Sequence, residues 1–159
     1  MLCHLATATD WAAALAAGAY RISTRGLSLE DAGFIHCARP GQLAAVADRF
    51  YRGLNDDLVV LVIDPDRTGA ELRDEDTHGT GETFPHLYGP VPLDAVVAAV
   101  PYAPGPDGRF AAPDLPGVIT RRPRPRPGRP PPRSSPRPAP SSTAWGRPGP
   151  GQRSRRPPG

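Results

Sequence analysis

The sequence predicts an α+β domain of small, mostly antiparallel sheets with two short helices, followed by a disordered tail. Three observations carry this. Apolar runs at 58–63 and 95–100 read as strands, the first so continuous that both of its faces must be covered. Helical patterns do not alternate with every strand, which argues against a doubly wound parallel sheet. Beyond about residue 104 the spaced apolar residues give way to proline, arginine and glycine. The domains expected are therefore 1–104, folded, and 105–159, a basic Pro/Arg-rich tail.

In chain order, residues 1–6 read as a first strand. Thr9-Asp10 offers an N-cap for a helix over Trp11 to Ala17, and Gly18 is suited to ending it in the left-handed conformation. Residues 19–32 read as loop. A second strand is expected at 33–38, Gly-Phe-Ile-His-Cys-Ala. Pro40 fits the first turn of a second helix, where Leu43, Val46, Ala47 and Phe50 lie on one face. The strand at 57–64 follows, then a turn at Asp64-Pro65-Asp66 and a solvated edge strand at 70–76. A turn at 78–81 leads to a strand at about 83–88, and a last strand covers about 94–102. These apolar strands and helix faces supply a core for roughly 100 residues.

The charge is split along the chain. All acidic residues precede residue 115, whereas eleven of the nineteen basic residues are arginines at or beyond 121; lysine is absent. An acidic body thus precedes a strongly cationic tail. In an extended proline-rich conformation, at about 3.1 Å per residue, the tail spans on the order of 100 Å. Its arginines suit non-specific contact with nucleic acid or another anionic surface, and its Arg-Pro repeats suit a proline-binding domain. An extension without any binding role fits the same composition.

The N-terminus, Met1-Leu2-Cys3-His4, lacks the pattern of a secretory signal, and no apolar run approaches the roughly 18 residues of a membrane span. Cys3 and Cys37 are the only cysteines, with no CxxC spacing. A cytoplasmic protein with two reduced thiols is expected.

His4, His36 and His86 each fall in an expected strand, and imidazole is the side chain best suited to proton transfer near neutral pH. Alternation puts Cys3 opposite His4 and Cys37 opposite His36, so two core cysteines would leave both histidines facing a cleft or solvent. Ordinary half-buried histidines with backbone partners would look the same. Alternation also excludes a Cys37–His36 nucleophilic pair. No metal is expected, since HExxH and His-x-His are absent. GxGxxG, GxxxxGK[ST] and GxSxG are absent too, which argues against a Rossmann dehydrogenase, a P-loop ATPase and an α/β-hydrolase.

The densest chemistry is Glu82-Thr83-Phe84-Pro85-His86-Leu87-Tyr88. Phe84, His86 and Tyr88 would share one strand face, suited to stacking a flat ring or to packing as an ordinary sheet face. Glu82, four residues before His86, would lie on that face some 13 Å away, or outside the strand and folded back.

The set "GFIHCA", "ADRFYRG", "DLVVLVIDP" and "E-x-FPHLYGPVPLDAVV" closely resembles the bacterial family of domain of unknown function 952 from Met1 to about Tyr102. That family is similar to the ADP-ribosylation fold, in which two small sheets grip NAD. The resemblance implies an NAD-using transferase or glycohydrolase, with NAD as co-substrate. It implies that His4 holds the adenosine ribose or the nicotinamide amide and that His36 lies beside the cleft. Glu82 would stabilise the oxocarbenium-like charge, with His36 and His86 as the other catalytic candidates. Phe84 or Tyr88 would stack the ring, and Arg21 or Arg25 would pair with the pyrophosphate. The triads of ADP-ribosyltransferases do not align cleanly, and Ala38 stands where the family is expected to carry serine. The competing reading is a non-catalytic module binding a nucleotide or small metabolite in the same cleft.

Overall fold

Period-two alternation on the central strand organises the molecule. The computed structural model describes residues 1–77, 79 and 81–116. Its first half runs β1 (Leu2–Thr7), α1 (Ala8–Ala17), β2 (Ala19–Tyr20), β3 (Ile22–Thr24), β4 (Leu27–Ser28), α2 (Leu29–Ala32), β5 (Ile35–His36) and α3 (Leu43–Phe50). The second half runs β6 (Leu58–Ile63), β7 (Glu71–Glu75), β8 (Phe84–Tyr88), β9 (Val91–Pro92) and β10 (Val96–Tyr102), with 3₁₀ turns before α3, after β6 and before β10.

β6 sits between β1 and β10 in an antiparallel sheet. Its odd residues Leu61 and Ile63 join Leu2 and Ala6 in one core, with Tyr20, Ile35 and Leu87. Its even residues Leu58, Val60 and Val62 join Cys3 and Leu5 in a second core, under Leu43, Ala47 and Tyr51. Both faces are covered, as the unbroken apolar run requires. Each fully buried Val or Leu here contributes about 1.5–3 kcal/mol relative to exposure. The second sheet is also antiparallel, in the order β5-β8-β7, and pairs β2-β9 and β3-β4 complete the described strands.

The α+β class and antiparallel pairing agree with the sequence, and several details differ. Thr7, not the Thr9-Asp10 pair, caps α1: its hydroxyl accepts from the Asp10 amide at 3.0 Å and donates to the Asp10 carboxylate at 2.7 Å. Gly18 closes α1 at φ 87°, as its lack of Cβ permits. Residues 19–32, expected to be loop, hold β2, β3, β4 and a single helical turn, α2. Ser28 caps α2, its side chain accepting from the Asp31 amide. Segments this short carry too little periodicity to stand out in sequence.

The packed body also runs past the expected boundary at 104. Phe110 and Leu115 are buried against the Val60–Val62 core. The Phe110 amide donates to Asp48 at 2.9 Å, and the Tyr102 hydroxyl donates to the Ala111 carbonyl at 2.6 Å. The Pro/Arg-rich segment from 117 onward lies outside the described residues, as do His78 and Thr80. Among the described residues, no helix is long and apolar enough to cross a membrane.

Candidate functional site

The β5-β8-β7 sheet has an apolar face and a chemical face. Ile35 and Leu87 point into the core. On the other face, His36 is the direct cross-strand partner of His86, and β7 sets Glu75 opposite Phe84, Arg73 opposite His86 and Glu71 opposite Tyr88. Period two makes all of these share one surface. Phe34, two residues before His36, lies across them. It stacks on His86 at 4.2 Å between centroids and is 4.7 Å from His36 and 5.5 Å from Tyr88. The His36 and His86 rings meet edge to face at 5.1 Å.

This surface forms part of the wall of a cavity of about 460 Å³. Its polar lining includes His4, His36, His86, Glu82, Arg25 and Arg49. Apolar wall comes from Val46 and Phe50 of α3 and from Phe84. Phe50 is half exposed, so the α3 side of the cavity presents an aromatic ring to incoming molecules, with the Arg49 guanidinium 5.2 Å from its centroid. A volume of this size and a mostly apolar lining with a few polar groups are usual for small-molecule sites.

The three histidines converge, but they are held differently. His4 is buried in the first core. Its Nδ1–H donates to the His36 carbonyl at 2.6 Å, and Nε2 accepts from the Tyr20 hydroxyl at 2.9 Å. Burial is the main reason its pKa falls to about 4, so it is neutral at pH 7 with both nitrogens engaged. Burial likewise pushes the Tyr20 hydroxyl well above its ordinary range, keeping it a donor. His36 is half-buried, with Nδ1 hydrogen-bonded to the buried Ser23 hydroxyl at 2.9 Å.

His86 is 1 % exposed. Its Nδ1 is 2.9 Å from Glu75 Oε2, the same oxygen that accepts from the Tyr88 hydroxyl at 2.8 Å. Its Nε2 is buried and has no hydrogen-bond partner among the described residues. The bonds from His86 and Tyr88 hold the Glu75 carboxyl below the usual carboxylate range. With Glu75 ionised, Nδ1 is the donor in this contact.

Glu82 lies outside β8, at the exposed rim of the cavity, and so does not share the strand face of His86. Gln42 Nε2 donates to its Oε1 at 3.1 Å and to the Thr83 carbonyl at 3.0 Å. Two expected ligand-holding residues are not in the cavity wall. Arg21 is exposed and hydrogen-bonds Glu30 through Nε at 2.7 Å. Tyr88 has its ring under the Arg73 guanidinium, 4.2 Å from the centroid, and its hydroxyl on Glu75. Arg25 does line the cavity and pairs with Asp56 at 2.5 Å.

Glu75 was hidden in a strand that reads as wholly solvated. The signal that would have found it is the alternation of Glu71, Arg73 and Glu75, which puts three charges on the face that β8 fills with Phe84, His86 and Tyr88. Phe34 was hidden as one more apolar residue at a strand entry. Both thiols are buried, which pushes Cys3 up to about 11 and Cys37 up to about 12, so neither is a nucleophile at neutral pH. Among the described residues, no group of three or more His, Cys, Asp or Glu is spaced to hold a metal ion.

A family model described as a protein of unknown function (DUF952) matches residues 5–99. The crystal structure of protein CC0527 from Caulobacter crescentus is similar at 28 % identity and a TM-score of 0.59, over 69 % of this chain and 92 % of that one. The solution NMR structure of CC0527 is similar at 30 % identity and a TM-score of 0.57, over 69 % of this chain and 90 % of that one. No curated protein matches the chain.

Proposed function

The chain belongs to the DUF952 family, whose function is unknown, and we propose that it is an NAD-using transferase or glycohydrolase acting in the histidine-lined cavity. One observation carries the reading. Residues from three separated parts of the chain, His4, His36 and the Glu82–His86 stretch, meet around one cavity of about 460 Å³. Cleaving the nicotinamide glycosidic bond develops positive charge on the ribose. Glu82 is the carboxylate at the cavity itself that can offset this charge. Phe84 and Phe50 offer aromatic faces to a planar base, and Arg25 and Arg49 offer guanidinium groups to phosphate oxygens. His4 has both ring nitrogens engaged, so its part is to fix the cavity wall and the His36 backbone.

The test is calorimetric titration of the full chain with NAD, together with an assay of nicotinamide release. Wild type is expected to bind and turn over. Glu82→Gln is expected to keep binding and lose on the order of 10²–10³ in kcat. Neither heat nor nicotinamide from the wild type would end the NAD reading.

A non-catalytic module for a nucleotide or small metabolite is the second reading, and the contact between Gln42 and Glu82 favours it. The carboxylate is already engaged at the rim, as a structural group would be. This reading expects binding to survive Glu82→Gln, with no turnover by either protein.

A further inference from the structure

We infer that His86 is the proton acceptor of the cavity and that Glu75, from the neighbouring edge strand, is the positioning residue that makes it one. The inference deepens the reading of the cavity as an NAD-cleaving site and assigns the second substrate. That substrate is a hydroxyl-bearing nucleophile, water or an alcohol, whose proton goes to His86 Nε2.

The geometry runs in one direction. Glu75 lies outside the cavity wall and His86 lies in it. Glu75 takes the Nδ1 edge of the imidazole, and the buried Nε2 is the ring nitrogen left without a partner. A carboxylate can only accept, so it fixes the proton on Nδ1 and leaves a lone pair on Nε2. Tyr88 donates to the same Glu75 oxygen, which keeps the carboxylate pointed at the ring. Phe34, stacked at 4.2 Å, prevents the imidazole from swinging away. A buried Nε2 without a partner is costly unless something donates to it, and an O–H from a bound nucleophile does so.

In the step itself, the O–H bond of the nucleophile breaks and its proton forms an N–H bond at Nε2. The oxygen pair attacks the ribose carbon, and nicotinamide leaves with the electron pair of the glycosidic bond, which neutralises its pyridinium charge. His86 is then an imidazolium facing the Glu75 carboxylate and returns its proton to solvent. The other titratable or charged groups around the ring are His36 edge-on from β5, Arg73 and Tyr88 through the Glu75 network, and Glu82 at the cavity rim.

The test uses the full chain labelled with ¹⁵N-histidine. In the wild type, long-range ¹H–¹⁵N spectra should show neutral His86 with the proton on Nδ1. Glu75→Gln replaces an obligate acceptor by a carboxamide that can also donate, and should yield a mixture of tautomers. Tyr88→Phe should keep the wild-type tautomer. With NAD as substrate, Glu75→Gln should lower kcat on the order of 10²-fold with KM unchanged, and the acid limb of the pH–rate profile should move. A proton on Nε2 in the wild type, or an unchanged tautomer in Glu75→Gln, overturns the inference. The absence of nicotinamide release removes the NAD reading alone, because the tautomer measurement decides the dyad without turnover. A thermal melt of Glu75→Gln matching the wild type confirms that the fold is intact.

Discussion

His4 and His86 are the two buried histidines among the described residues, and they differ in how far they are satisfied. On β1, in the sheet that divides the two cores, the His4 ring bridges a backbone carbonyl and a tyrosine hydroxyl and is complete. On β8, in the sheet that walls the cavity, the His86 ring is anchored on one side alone. The first arrangement is what stability asks of a buried polar group; the second leaves a group for which folding alone gives no reason. Burial does not separate a structural imidazole from a chemical one, and the partner of the second nitrogen does.

The contrast is broken most severely by removing the ring that is complete. His4→Ala strands the Tyr20 hydroxyl and the His36 carbonyl and leaves a cavity, and is expected to cost about 3–5 kcal/mol of unfolding free energy. His86→Asn should cost clearly less, about 1–2 kcal/mol, because one nitrogen had no partner to strand. Urea titration of both variants measures the difference; equal losses would erase the distinction.

The next effect is in pH. His4 has its folded pKa lowered to about 4 from the unfolded 6.5, so between these values the unfolded chain binds more protons. Its contribution is complete above pH 6.5 and lost as pH falls toward 4, amounting to about 3 kcal/mol across that window. Denaturation midpoints measured from pH 7 to 4 should drop accordingly, and His4→Phe should flatten the curve.

A smaller effect is expected at Gly89, where β8 ends. A Cβ there would stand 2.8 Å from the Ala70 Cβ. Gly89→Ala should cost about 1–3 kcal/mol and shift the entry of β7 against β8, and the ¹⁵N signals of His86 report whether the Glu75 contact moves with it. Tyr88→Phe takes away one of two donors to Glu75, so the carboxyl pKa should rise back toward the ordinary value; ¹³C titration of that carboxyl reads the change. Smallest of all, losing the exposed Arg39–Asp74 pair should change stability by about 0.5 kcal/mol or less.

These experiments also mark where the sequence was legible. β1, α1, α3, β6, β8 and β10 were readable because each carries an apolar pattern of sufficient length. The convergence of His4, His36 and His86 was readable only in part: alternation sets the first two opposite cysteines, but Cys3 and Cys37 lie in different cores and His4 is itself buried. Glu75 was readable only with the strand pairing in hand: β7 has one apolar residue in five, and the alternation of Glu71, Arg73 and Glu75 marks a face without telling which strand it adjoins. Arg21 was legible as a loop arginine, but its position outside the cavity wall, paired with Glu30, was not. Pairing of β7 with β8 decides the first case and an ion pair with the short helix α2 the second, and a pattern of residue types records neither.

The segment after β10 has a practical bearing on how this protein is divided. Phe110 and Leu115 seal the underside of the Val60–Val62 layer, and the backbone there is tied to Asp48 of α3, the same helix that supplies Arg49 and Phe50 to the cavity. A version ending at Tyr102 would uncover that layer and loosen the helix. Limited digestion should accordingly yield a resistant core that retains Leu115.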